Sequence, residues 1–134
     1  MLVVDDDSDG RHSCAEVLRT AGYRVVEAGH GQAALDHLKS SGVDAILLDV
    51  FMPGLDGLSV LDQIEDPPPV ALLTAHVYDD EIVARRSKVA MYIQKPIAPL
   101  DLLEAVARMF AGDPTPGRFE TTPQSKIRNS SRDL

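Results

Sequence analysis

Four short apolar runs punctuate the chain: Leu2-Val3-Val4, Tyr23-Arg24-Val25-Val26, Ala45-Ile46-Leu47-Leu48 and Val70-Ala71-Leu72-Leu73. Met91-Tyr92-Ile93 is a weaker fifth. The third and fourth are apolar at every position, as expected of strands covered on both faces in a parallel sheet. Helical spacing fills the gaps. Cys14, Val17, Leu18 and Ala21 recur at i, i+3, i+4 and i+7, with Gly22 as a stop. Ala34, Leu35 and Leu38 repeat the pattern before Gly42. Leu58, Leu61 and Ile64 predict a third helix, ended by Pro67-Pro68-Pro69. Residues 79–87 give a weaker fourth, and Leu100, Leu103, Ala107 and Phe110 a fifth. A second stripe on that last helix, Leu102, Val106 and Met109, points to a partner or dimer surface, against the blander reading that it covers the neighbouring helix.

Strands alternating with helices imply βαβ units and an α/β fold with a parallel sheet, here of five strands and five helices. In open sheets of this kind, ligands sit beyond the carboxyl ends of the strands. Past Phe110 the periodicity stops and Pro, Gly, Ser and Thr take over. One domain over residues 1–111 and a disordered tail or truncated linker over 112–134 are therefore expected.

Composition narrows the functional classes. The 134 residues are 44% hydrophobic with 4% aromatics and no Trp, so the core must be aliphatic. Net charge is −8 and the basic residues do not cluster, which argues against direct nucleic-acid binding. Cys14 is the sole cysteine, which excludes an internal disulfide and a thiolate metal site. Met1-Leu2-Val3-Val4 meets a charge cluster at Asp5, unlike a signal peptide. No apolar run approaches the roughly 18 residues of a membrane span. A cytoplasmic, membrane-free protein is expected.

The strand ends carry the chemistry. The first strand ends in Asp5-Asp6-Asp7, the third in Asp49, the fourth in Thr74 and the fifth in Lys95-Pro96. The second offers Glu27, which nothing else is expected to join. Carboxylates gathered in one place repel one another, and a hard divalent cation resolves that cost. Lys95 brings a mobile positive charge suited to a phosphate oxygen, and Thr74 a hydroxyl donor. Together they are the parts of a phosphoryl-transfer site with a carboxylate nucleophile.

Four stretches, each at a strand end, carry a family likeness: Leu2–Asp7, Leu47-Leu48-Asp49-Val50-Phe51-Met52-Pro53-Gly54-Leu55-Asp56-Gly57, Leu72-Leu73-Thr74-Ala75-His76 and Tyr92-Ile93-Gln94-Lys95-Pro96. In order, they resemble a response-regulator receiver domain of the chemotaxis-regulator type, over about residues 1–111. The resemblance implies a doubly wound, flavodoxin-like sheet with helices on both faces and strand order 2-1-3-4-5. It implies that Asp49 is phosphorylated from a histidine kinase. Mg²⁺, or Mn²⁺ in its place, is implied at Asp6 and Asp49 directly, at the Phe51 backbone carbonyl, and at Asp5 through water. Thr74 and Lys95 are implied to contact the phosphoryl group, and Tyr92 to be the switch aromatic. The output is implied at the surface of helix four, strand five and helix five, toward an output domain or target protein, or through a homodimer at that surface. Such a module catalyses only its own phosphorylation and dephosphorylation. The family's usual Gly-Ala is replaced here by Lys88-Val89, and the segment from Asp49 to Thr74 is short.

Blander readings stand beside these. Asp7 is expected to cap the first helix, and Cys14 to pack in the core. Tyr92 is balanced between a switch whose ring turns inward and half-buried packing with its hydroxyl in water. His76 is expected on the surface near the site, as a modulator of hydrolysis at most. Phe51 is expected to border the phosphoryl group, where an apolar ring cannot orient an attacking water. The Lys95-Pro96 bond is expected to be cis. A competing enzyme reading makes Asp5 the nucleophile and Asp7 the acid of a haloacid-dehalogenase-like phosphatase, which calls for a longer chain and a cap. A third reading is a phosphate-independent interaction module.

Overall fold

The computed structural model describes residues 1–40, 42–75 and 79–112. Its order is β1 (Leu2–Val4), α1 (Ser8–Thr20), β2 (Val26–Ala28), α2 (Gly31–Ser40), β3 (Ile46–Asp49), α3 (Gly57–Asp62), β4 (Val70–Thr74), α4 (Asp80–Val83), β5 (Met91–Gln94) and α5 (Pro99–Ala111). A 3₁₀ turn at Arg86–Lys88 joins α4 to β5. All strand pairs are parallel, and the sheet order is β2-β1-β3-β4-β5. This is the doubly wound, flavodoxin-like arrangement expected from the sequence.

The all-apolar strands divide by the period-two pleat. Leu2, Val4, Ile46, Leu48, Val70, Leu72 and Tyr92 face one side and pack with residues of α2, α3 and α4. Val3, Leu47, Ala71, Leu73, Met91 and Ile93 face the other, toward α1 and α5. Neither face of the central strands meets water, which is why these strands show no polar alternation.

Two expectations are corrected. The second strand is Val26–Ala28 rather than Tyr23–Val26, because its register is set by β1: Leu2 lies beside Val26 and Val4 beside Ala28. Tyr23 and Val25 serve instead as partly buried packing against the α1–α5 layer. On α5 the expected faces are exchanged. Leu102, Val106 and Met109 are core, whereas Leu100 is 80% exposed and Phe110 is 44% exposed. Leu100 shares its side of the helix with Glu104 at i+4, so burying it would drag a carboxylate into the core. Leu102 is followed at i+3, i+4 and i+7 by Ala105, Val106 and Met109, all apolar and all buried. The apolar stripe on which a partner surface was expected is thus the inner face of the helix. Phe110 stacks on Tyr23, with ring centroids 5.6 Å apart.

The third helix is shorter than expected: α3 ends at Asp62, with Gln63 as its cap, so Ile64 lies beyond it and ahead of the proline block. The fourth helix is shorter than its spacing suggests, and two cations in the segment after it reach α3 and the turn beyond it. Arg85 forms a fork on Asp62 at 2.8 and 2.9 Å. Lys88 donates to the carbonyls of Leu61 at 3.2 Å and Ile64 at 2.8 Å, at the end of α3. Segment 112–134 lies, beyond Gly112, outside the described residues, as does His76.

Candidate functional site

Every strand runs toward the same end of the sheet, so the loops after β1, β3, β4 and β5 converge there. Asp5 follows β1 directly. Its backbone amide donates to the Ala28 carbonyl at 3.1 Å, and its Oδ1 accepts from the Asp7 amide at 3.0 Å. Asp7 turns away as the cap of α1 and accepts from the Gly10 amide at 3.2 Å.

Asp49 ends β3, and the loop behind it is drawn tight. Val50 donates to the Leu73 carbonyl at 3.1 Å, and Gly57 donates back to the Val50 carbonyl at 2.9 Å. Gly57 starts α3 against the strand itself; a Cβ there would meet Val50 Cα at 2.9 Å and backbone atoms of Asp49. Gly54, at φ +74°, makes the preceding turn in the left-handed region that suits glycine.

One carboxylate oxygen each from Asp5, Asp6 and Asp49 lies within 4.8 Å of the others. Asp5 and Asp49 are buried, at 8% and 4% exposure, while Asp6 is open to solvent. Lys95, carried on the exit of β5, places Nζ 2.8 Å from Asp49 Oδ1 and 3.5 Å from Asp5 Oδ2. The Lys95-Pro96 bond is cis, as expected, and Lys95 N donates to the Thr74 carbonyl at 2.9 Å.

Burial lifts the Asp49 carboxyl above its ordinary value, and the nearby Asp5 and Asp6 charges add to this against the pull of Lys95. Burial acts against the Lys95 ammonium too, but its hydrogen bond and charge contact with Asp49 outweigh it and hold its pKa up. The donor set is hard oxygen with at least one exposed carboxylate, which fits a small divalent cation better than a soft one.

Thr74 is buried at the end of β4. Leu72 lies beside Tyr92 in the sheet, so the pleat puts Thr74 and Tyr92 on the same face, the one packed against α4. Tyr92 is only 8% exposed, and its hydroxyl is buried without a hydrogen-bond partner among the described residues. The expected half-buried ring with a wet hydroxyl is therefore not what is found. Phe51 is 57% exposed. Cys14 is partly buried against the α1–α5 layer, and burial, aided by Asp5, pushes its thiol up to about 11.

Glu27 departs from expectation. Rather than standing alone, it receives Arg11 Nε at 3.1 Å, His12 Nδ1 at 2.6 Å and Arg19 Nη1 at 3.2 Å. Sequence reasoning passed over all three partners. Their signal lies only in the parallel pairing of β1 with β2, which brings Glu27 up against α1.

A family model for the response regulator receiver domain matches residues 1–107. The chain belongs to that family. Among curated relatives, the receiver region resembles the positive alginate biosynthesis regulatory protein of Pseudomonas aeruginosa, 39% identical over 116 residues. It also resembles response regulator MprA of Mycolicibacterium vanbaalenii, 44% identical over 115 residues. These alignments cover 81% and 83% of this chain but 46% and 48% of the relatives, so the chain spans about half their length.

Solved receiver structures agree with the fold. A CheY-like receiver domain protein from Methanospirillum hungatei superposes with a TM-score of 0.71 at 28% identity, covering 82% of this chain and 90% of that one. Response regulator TrrA of Thermotoga maritima, solved with Mg²⁺–BeF, gives 0.72 at 32% identity, covering 81% and 96%. As in the family at large, the chain is a receiver module of two-component signalling. No helix among the described residues is long and apolar enough to cross a membrane.

Proposed function

We propose that this receiver domain is a phosphorylation-dependent switch in which Asp49 accepts a phosphoryl group from the phospho-histidine of a histidine kinase. The observation that carries the reading is the convergence of Asp5, Asp6 and Asp49 within 4.8 Å, with Lys95 at 2.8 Å from Asp49. An Asp49 carboxylate oxygen attacks phosphorus, the P–N bond to the histidine breaks, and the ring nitrogen leaves with the bonding pair. Mg²⁺ or Mn²⁺, held by Asp6, Asp49 and the Phe51 carbonyl with Asp5 acting through water, would neutralise charge on the transferring group.

Phosphorylation takes the local charge from about −1 to about −2. Lys95 then moves from the Asp49 carboxylate to a phosphoryl oxygen, and the Thr74 hydroxyl donates to another. Because Thr74 and Tyr92 share a sheet face, a shift of Thr74 is felt at the Tyr92 ring and at α4. The output is a change at the surface of α4, β5 and α5, read by an output domain or a target protein. Residues 1–111 form the switch, and 112–134 a tail or linker. The module acts on no substrate beyond its own acyl phosphate. The exposed, apolar Phe51 cannot orient an attacking water, so that acyl phosphate is long-lived, and Phe51→Asn is expected to hydrolyse faster.

Mass spectrometry after treatment with acetyl phosphate and Mg²⁺ tests the reading. One phosphoryl group on Asp49, absent from Asp49→Asn, is the expected result. Modification mapped to Asp5 would instead favour a phosphatase-like nucleophile. The geometry speaks against that alternative, because Asp7, its required acid, is committed to capping α1.

A further inference from the structure

Asp5 is held by more than its own strand. Its carbonyl oxygen accepts from Arg11 Nη1 at 2.9 Å, while the same guanidinium donates from Nε to Glu27 Oε1 at 3.1 Å. The two side chains of this strut are 15% and 16% exposed, so it is shielded from the solvent screening that weakens surface ion pairs. Glu27 is fixed from the other side by Arg19 and His12. Burial works against its ionisation, but the hydrogen bonds from Arg11 and Arg19 outweigh this and hold the carboxyl below its ordinary value. The guanidinium lies against the backbone at Gly29, where an added Cβ would sit 3.0 Å from Nη1. Both faces of the Asp5 peptide are therefore tied to the β2 edge, the amide through the Ala28 carbonyl and the carbonyl through Arg11.

We infer that Arg11 is a positioning residue for the acidic pocket: braced by Glu27, it fixes the backbone from which Asp5 and Asp6 present their carboxylates to a divalent cation. This rests on the cation reading given above.

A cation close to an acidic pocket repels a second cation, so by charge alone the loss of Arg11 tightens Mn²⁺ or Mg²⁺ binding. By positioning, the loss weakens it, and residues that orient metal ligands typically change affinity by roughly 10–100-fold. Arg19 is the built-in control, since it shares Glu27 but bonds the Val25 carbonyl instead of Asp5.

Mn²⁺ binding to the full chain is read from the electron paramagnetic resonance of the free ion, with Mg²⁺ as competitor and thermal melting in parallel. Arg11→Met is expected to bind Mn²⁺ roughly tenfold more weakly, Glu27→Gln to show a smaller loss, and Arg19→Met to match wild type. Should Arg11→Met fail to fold, Glu27→Gln carries the test. Unchanged or tighter binding in the folded Arg11 or Glu27 variant, or an equal loss in Arg19→Met, overturns the inference alone. Absence of Mn²⁺ binding in wild type overturns the cation reading and the inference together.

Discussion

Gly57→Ala tests most directly how the fold holds Asp49. A Cβ on Gly57 would lie 2.9 Å from Val50 Cα and 3.0 Å from the Asp49 carbonyl carbon, with the carbonyl oxygen nearer than either. All are backbone atoms at the end of β3, so no rotamer change relieves the clash. The methyl can be housed only by lifting α3 off the sheet or by bending the strand end that carries Asp49. Overpacking a filled core costs about 1–3 kcal/mol, and a backbone obstacle puts this site near ~3 kcal/mol. The better helix propensity of alanine offsets at most ~1 kcal/mol. The net loss of about 2 kcal/mol corresponds to a fall in Tm of roughly 8–15 °C for a domain of this size.

Urea titration and thermal melting measure that loss, with Gly42→Ala as the control. Gly42 has nothing within 4 Å of an added Cβ, and its substitution is expected to change stability by less than about 0.5 kcal/mol. A second readout follows from the geometry: an Asp49 carboxylate displaced by about 1 Å is expected to lose roughly 10²-fold in phosphorylation rate from acetyl phosphate. A Gly57→Ala variant as stable as Gly42→Ala and phosphorylated at the wild-type rate would refute the reasoning.

Three further outcomes are expected. Folding lifts the Asp49 pKa, so the stability this group contributes is present at low pH and is lost as pH rises through the raised value. Asp49→Asn should therefore melt above wild type at neutral pH without divalent cations, with the gap closing on acidification; a lower melting point at neutral pH contradicts this. With the Cys14 thiol pushed to about 11 from an ordinary 9.0, its thiolate is roughly 100-fold scarcer at pH 8 than in the unfolded chain. Iodoacetamide labelling followed by mass spectrometry should be slower by about that factor, and equal rates with and without urea would exclude the shift. Lys88→Met removes the donor shared by the Leu61 and Ile64 carbonyls and should cost about 1–2 kcal/mol. Urea unfolding measures it, and a change below about 0.3 kcal/mol would show that water replaces the ammonium.

Periodicity made the sheet and the pocket legible for a physical reason. Central parallel strands must be apolar on both faces, so Ile46–Leu48 and Val70–Leu73 declare themselves, and the polar residue that ends each run falls at the ligand end. The edge strand β2 gave no such signal. It is held by β1 on one side only and tolerates Glu27 in its middle, so the run Tyr23–Val26, which overlaps it only at Val26, was the better-looking strand. On α5, two apolar stripes compete, and only the company of Glu104 separates the outer from the inner. The grip of Gly57 on Asp49 and of Arg11 on Asp5 was invisible, because both depend on close approach between segments distant in the chain.

The electrostatics of the pocket give these grips their importance. Three carboxylates meet one ammonium, and that ammonium is engaged mainly by Asp49 Oδ1. Lys95 at 3.5 Å only partly serves Asp5, and no ion pair reaches Asp6 among the described residues. A flexible loop would relieve the excess negative charge by letting Asp5 swing into solvent. It cannot do so here, because its amide, its carbonyl and its side chain are each hydrogen-bonded. The repulsion therefore stays in the folded state, where it adds to the burial that chiefly raises the Asp49 pKa and leaves a site poised for added positive charge. On the proposed reading, Lys95 can leave Asp49 for a phosphoryl oxygen only when another cation takes its place. On that same reading, the rigidity that Arg11 and Gly57 give the pocket would link cation binding to the freeing of Lys95, and the repulsion held among the carboxylates would add to the affinity for the cation.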